Sequence, residues 1–231
     1  CFGDSKLKKI RIAENFLVSF PFLLFLIYKQ LFLPALILLL LSSILAIVNF
    51  SSTLNFTIPT PFSKRPFEFS TGFRNTFYLI LAAYALTFTG VFVNNFNLAI
   101  FALLFVFATT LSYYSTPENE YYIWIYNLNA KMFLMEKIKT AMLYSSLLSL
   151  PMILIISIFF YHNITITLLF FLLGEAFLVC MIVSKYAAYP DELNITQGIL
   201  ISICIGFPPL LIVLIPYLFF KSETRLSPLL K

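Results

Sequence analysis

Solid apolar runs alternate with short polar breaks along almost the whole chain. Seven runs stand out, over residues 16–28, 31–50, 77–93, 98–113, 141–160, 165–184 and 198–219. Several approach or exceed the roughly 20 residues that an α-helix needs to cross the hydrocarbon core of a bilayer. No water satisfies the backbone there, so each run is expected to close its hydrogen bonds within itself, as a helix. The two-residue alternation of a membrane-barrel strand is missing. The pattern predicts an all-α protein, a polytopic bundle of transmembrane helices with six or seven spans. Run 16–28 sets that range. It is short, contains Pro21, and only Lys29 and Gln30 part it from the next run. It reads as a tilted span, a re-entrant piece or an interfacial helix.

Composition sharpens the picture. Hydrophobic residues are 61% of the chain, charged residues 11%, and Phe occurs 28 times. A soluble globule needs a more polar exterior than that. The chain is therefore expected to be a single transmembrane domain over residues 1–231, with the lipid bilayer as its surroundings. Two polar-leaning loops, 51–75 and 115–140, are too short to bury a core of their own. Cys1 in place of Met reads as the start of a fragment. Cys180 and Cys204 lie inside apolar runs, where Cys acts as a small hydrophobe, so neither a disulfide nor a metal site is expected.

Basic residues set the expected orientation. Lys6, Lys8, Lys9 and Arg11 precede the first run; Lys64, Arg65 and Arg74 follow the second. Lys131, Lys137 and Lys139 follow the fourth, and Lys185 ends the sixth. With seven spans all of these share one side, which places the N-terminus in the cytoplasm, in a bacterial inner (plasma) membrane. Lys221, Arg225 and Lys231 then fall outside, against the rule. The net charge of +5 is accounted for by anionic headgroups and calls for no nucleic acid.

Both polar loops carry amphipathic sequence. Pro59, Pro61 and Pro66 break the early part of 51–75. From Pro66 onward Phe67, Phe69 and Phe73 alternate with Glu68, Arg74 and Asn75. This predicts an interfacial helix, with the Phe rings as anchors at the headgroup boundary and Arg74 toward phosphate; an ordinary loop with aromatic anchors is the plainer alternative. In 115–140, Thr116 suits an N-cap, Pro117 the first helical turn, and Glu118 and Glu120 its positive end. Tyr122, Ile125 and Leu128 share one stripe, and Trp124 is an aromatic of interfacial type. Asn127-Leu-Asn129 predicts a break, followed by a helix from Ala130 into the next span.

An interfacial helix, two spans, a cytoplasmic helix with an F-L-x-x-K ending (Phe133, Leu134, Lys137) and further spans resemble the permease subunits of ATP-binding-cassette exporters. The resemblance covers roughly residues 66–219. It implies that 118–128 is the coupling helix that docks on a separate ATP-binding subunit, through Glu118, Glu120, Tyr122, Trp124, Ile125 and Leu128. It implies that 66–74 is the elbow helix, and that two such permeases or halves, as a homo- or heterodimer, surround the pathway. The chain departs from the family in having five spans after the elbow where the family has six, and two additional spans before it.

Inside the apolar runs, Glu175 is the one acid near the middle of a span. Such a carboxylate is costly and marks a relay, a substrate contact or an interhelical hydrogen bond. Pro208 and Pro209 interrupt the last run, where a break can line a pathway or simply kink a packing helix. There is no G-x-x-x-x-G-K-[ST], no H-E-x-x-H and no G-x-S-x-G, so no nucleotide, metal or nucleophile site is expected, and no cofactor. The sequence predicts a transporter subunit rather than an enzyme. A structural membrane protein without transport and an ion-coupled carrier using Glu175 are the alternatives.

Overall fold

The computed structural model describes residues 4–30, 32–47, 62, 67–192 and 194–230, and Pro59, Pro61, Lys64, Arg65 and Pro66 lie outside them. The chain forms two compact units, Cys1–Phe56 and Thr57–Lys231. In the first, α1 (Asp4–Tyr28) and α2 (Phe32–Ile47) pack on each other across a tight turn where Gln30 takes φ 57°. The second contains α3 (Phe67–Phe92), α4 (Phe96–Ser112), α5 (Glu120–Trp124), α6 (Ala130–Phe159), α7 (Ile164–Ala188), α8 (Ile195–Gly206) and α9 (Leu211–Leu226). Short 3-10 turns precede α7 and α9. Among the described residues there is no strand. α3, α6 and the stretch Tyr161–Ala188 are long and apolar enough to cross a membrane, while Phe16–Tyr28, Phe96–Ser112 and Gln197–Gly206 are shorter apolar helices.

Asparagine marks the helix starts. Asn95, Asn119 and Asn129 each turn a side-chain oxygen onto a free amide of the following helix, Leu98 N at 3.1 Å, Tyr121 N at 3.2 Å and Met132 N at 2.9 Å. Asn194 and Gln197 form a reciprocal capping box on α8. The expected cap at Thr116 is replaced by Asn119, and the expected helix over 118–128 shrinks to the single turn of α5. Asn127 adopts φ 47°, inside the break anticipated there, and α6 begins at Ala130.

Two expectations about element boundaries are corrected. Residues 67–74 are not a separate interfacial helix; they are the first turns of α3. No proline or backbone break separates Arg74 from Phe77, and Gly72 lets the Tyr113 ring lie directly on the helix. Phe69 is fully buried against Phe62, Tyr113 and Tyr144, with ring centroids 4.9–5.3 Å apart, so it anchors the core and not the headgroup layer. Phe67 and Phe73 are half-buried and Arg74 is exposed.

The run 198–219 is likewise not one helix. α8 ends at Gly206, Pro208–Leu210 form a 3-10 turn, and α9 starts at Leu211. Prolines at 208 and 209 offer no N–H to the carbonyls of Cys204 and Ile205, so the α-helical ladder cannot continue. Leu200, Ile203 and Cys204 of the first leg and Leu210, Val213, Leu214 and Tyr217 beyond it border a shared apolar cleft. Both legs are tied to one end of α7. Gln197 Nε2 donates to Ser184 O at 3.3 Å, and Ser222 Oγ to Val183 O at 2.7 Å.

Two apolar clusters hold the second unit. One joins α3, α4 and α6 through Ile80, Ala83, Leu103, Phe107, Met152 and Ile156. The other joins α6, α7 and α9 and contains Phe133, Leu134, Leu178, Val183 and Leu218. α4 and α7 approach closely because Gly174 leaves room for the Phe107 ring. Gly174→Ala places a methyl group into that ring and should cost about 1–3 kcal/mol, the usual range for overpacking. Gly198→Ala in α8 meets nothing within 4 Å and should be neutral or stabilising by about 0.5–1 kcal/mol. Thermal unfolding of the detergent-solubilised protein separates the two.

Candidate functional site

Four charged side chains meet at the end of the second unit where α3 and α6 begin and α7 ends. Glu68 lies in the first turn of α3, Glu118 just before α5, Lys137 two turns into α6 and Lys185 in the last turn of α7. Lys137 Nζ donates to Glu68 Oε2 at 2.5 Å and Glu118 Oε2 at 2.9 Å. Lys185 Nζ donates to Glu68 Oε1 at 2.8 Å and Glu118 Oε1 at 3.0 Å. Each ammonium bridges both carboxylates, and each carboxylate uses both oxygens, giving a closed ring of no net charge. The side chains are 0–5% exposed.

Helix ends favour the arrangement. Glu68 sits at the positive end of the α3 dipole and Lys185 at the negative end of α7. Aromatic faces supply the rest of the environment. Lys137 Nζ lies 5.1 Å from the Tyr126 ring and 5.4 Å from Phe133, and Lys185 Nζ 5.3 Å from Tyr186 and 5.8 Å from Tyr114. The Tyr186 hydroxyl donates to Glu118 Oε1. Tyr114 is wholly buried, and its hydroxyl has no hydrogen-bond partner among the described residues. Burial, reinforced by the neighbouring Glu68 and Glu118 charges, pushes that phenol well above its ordinary pKa. Burial alone would raise the Glu118 carboxyl too. The adjoining Glu68 carboxyl, the two ammonium groups and the Tyr186 hydroxyl outweigh it and hold Glu118 well below the usual carboxylate range.

Glu118 was expected on a docking surface and is instead turned inward; only its backbone reaches the exterior. Beyond it, α5 buries Ile123 completely and exposes its other side chains, with Trp124 58% exposed. Tyr121, Ile125 and Glu120 are exposed with it. Tyr122 packs on Phe67 with its ring tilted and 4.4 Å between centroids, and Leu128 is half-buried against the core. Lys137 and Lys185 were counted as loop charges from sequence and belong to the ring.

A second polar point lies farther along the helices. Ser145 Oγ and Ser146 Oγ of α6 donate to Glu175 Oε1 of α7 at 2.8 and 2.9 Å. The other oxygen, Oε2, is buried with no partner among the described residues. Pro208 borders an apolar cleft of about 310 Å³ between α4, α7 and α8, which also contains Gly174, the neighbour of Glu175. Pro209 lies beside it in the turn. Among the described residues no three His, Cys, Asp or Glu side chains gather as metal ligands do.

The sequence reading missed Glu68, Lys137, Lys185, Tyr114 and Tyr186 as a group. The available signal was charge set among apolar neighbours, as in Phe-Leu-Met-Glu-Lys-Ile and Ile-Val-Ser-Lys-Tyr-Ala. No protein-family model matches the chain, and no curated protein or solved structure matches it either.

The ring behaves as one unit, so removing one member strands its partners. Lys137→Met should cost about 3–5 kcal/mol, as for a broken buried pair. Joining Glu68→Gln to Lys137→Gln restores neutrality and should cost less than the sum of the single changes, by roughly 0.5–3 kcal/mol in a double-mutant cycle. Glu118 makes a contribution of its own to the pH dependence. A carboxyl lowered by folding binds fewer protons folded than unfolded. Its contribution is complete above the usual carboxylate range and lost as pH falls below it. Acid unfolding in detergent should show this limb, and Glu118→Gln should flatten it.

Proposed function

We propose that this chain is the membrane subunit of an ATP-driven exporter, with ATP hydrolysed on a separate subunit that docks on α5. The observation that carries this reading is the joint between an exposed surface and a buried one. Tyr121, Trp124 and Ile125 face outward, while Glu118, two residues before α5, is bonded to α6 and α7 and through both lysines to α3. A partner that pushes on α5 cannot move it alone. Either the three helices follow, or buried charges separate at a cost of several kcal/mol. That is the mechanical property required of a segment that turns nucleotide-driven closure into helix movement.

In this reading the ring end faces the cytoplasm of a bacterial inner membrane and the N-terminus lies there too. α1, α2, α3, α4, α6 and α7 make six crossings, and two such subunits enclose the pathway. Trp124→Ala with Tyr121→Ala should remove a copurifying P-loop ATPase from a mild-detergent pull-down while leaving unfolding unchanged. Glu118→Gln should keep the ATPase bound but loosen the dependence of its rate on the membrane subunit. A full-length protein that brings down no ATPase overturns the proposal.

One observation favours a second reading. Glu175, with an unpartnered buried oxygen, is the group an ion-coupled carrier would use. In that case Glu175→Gln abolishes transport driven by an ion gradient without ATP. In the exporter reading, ATP-dependent transport survives the substitution.

A further inference from the structure

The last apolar segment is long enough on paper to cross a bilayer, yet its geometry is that of a loop that enters and returns. We infer that α8 and α9 form a re-entrant helical hairpin, which enters the membrane from the face carrying the Glu68–Lys185 ring and leaves by the same face. Its turn, Gly206–Leu210, lies at mid-depth.

Three independent observations carry this. The first is where the legs are anchored. α8 begins beside Ser184 and α9 reaches Val183 at Ser222, so the entrance and the exit lie at neighbouring residues near one end of α7. The second is length. α8 has 12 residues, about 18 Å at 1.5 Å per residue, against the roughly 30 Å of a hydrocarbon core. The third is the depth of the turn. Pro208 borders the same cleft as Leu104, Leu173 and Gly174. Leu104 stands half-way along α4, and Leu173 and Gly174 half-way along the stretch Tyr161–Ala188.

Charge agrees with this placement. Lys221 and Arg225 are exposed near the end of α9. With a full crossing they sit on the face where the second unit otherwise shows the 94–97 turn and the segment around His162, both free of Lys and Arg. With the hairpin they join the exposed Lys131 and Lys139 at the start of α6, as the preference of cationic residues for one face requires. The hairpin also places Pro208-Pro209 at the depth of Gly174, where the carbonyls of Cys204 and Ile205 are denied helical partners. Broken backbone at that depth is found where protein or a cavity shields it.

The inference does not depend on an ATP-hydrolysing partner and is tested without one. In protein whose native cysteines are replaced by Ala, single cysteines are placed at exposed positions: Lys139→Cys on the ring face, Asn97→Cys at the opposite end, and Lys221→Cys and Arg225→Cys on α9. A membrane-impermeant maleimide is applied to sealed vesicles of one orientation, then after permeabilisation. The hairpin predicts that Lys221→Cys and Arg225→Cys react with Lys139→Cys and oppositely to Asn97→Cys, with at least a tenfold difference in rate before and after opening. Reaction of Lys221→Cys and Arg225→Cys in the same vesicle state as Asn97→Cys means a full crossing and overturns the inference.

Discussion

Two ammonium groups and two carboxylates share one dry volume at the end of the helical unit, and the positions of four chain segments follow from that. Removing such groups from water costs several kcal/mol each before any attraction is counted. The cost is met by closure, since each lysine has two carboxylates and each carboxylate two lysines. It is also met by the aromatic faces of Tyr114, Tyr126, Phe133 and Tyr186, which accept a cation where an aliphatic wall would not. The ring serves specificity more than stability. Apolar packing allows a helix to slide or turn by a residue, but a ring with ion-pair distances of 2.5–3.0 Å does not. It sets which turn of α3 meets which turns of α6 and α7, and it holds the loop before α5 beneath them.

One turn of α7 concentrates these constraints. Val183 O receives Ser222, Ser184 O receives Gln197, Lys185 binds Glu68 and Glu118, and Tyr186 donates to Glu118. Four consecutive residues therefore bond α3, the segment before α5, α8 and α9. The contrast with Glu175 is instructive. That carboxyl has two serine donors on one oxygen and none on the other among the described residues, and no lysine or arginine is bonded to it there. The ring is balanced and structural in character, whereas Glu175 is an open valence inside the apolar layer.

The helices were legible because solid apolar runs leave the backbone no other way to close its hydrogen bonds, and Asn127 and Ala130 marked the break and restart that the structure contains. Boundaries were less so. Phe67–Arg74 and the run after it share helical spacing, and periodicity cannot tell a membrane-parallel helix from the first turns of a span. Phe69 looked like an anchor because alternation with Glu68, Arg74 and Asn75 suggested a polar side. In the structure Glu68 is interior, in the ring, while Arg74 and Asn75 stay exposed. Pairing was not legible at all. Glu68 meets Lys137 and Lys185 across 69 and 117 residues, and in sequence each lysine looked like one more positive charge beside a membrane. Run 198–219 passed the length test for a span, and two adjacent prolines read equally well as a kink or a turn. Only the bonds to Ser184 and Val183 distinguish them.

The ring and the hairpin are connected by more than proximity. A load on α5 passes through Glu118 to Lys185 and Tyr186, and the next two residues toward the middle of α7 hold the entrances of α8 and α9. A shift or rotation of that turn acts on both legs at their base. α9 packs on α7 in the apolar cluster that contains Leu178, Val183 and Leu218, and each leg is also bonded to α7 by one side chain, Gln197 from α8 and Ser222 from α9; the proline turn lies about 18 Å along α8. There the turn borders the cleft formed with Leu104, Phe107 and Gly174. The packing at Gly174 is close on the α4 side and open on the α8 side, so α8 and Pro208 form one wall of that cleft. The charge ring and both legs of the hairpin are thus fastened to the same turn of α7, residues 183–186.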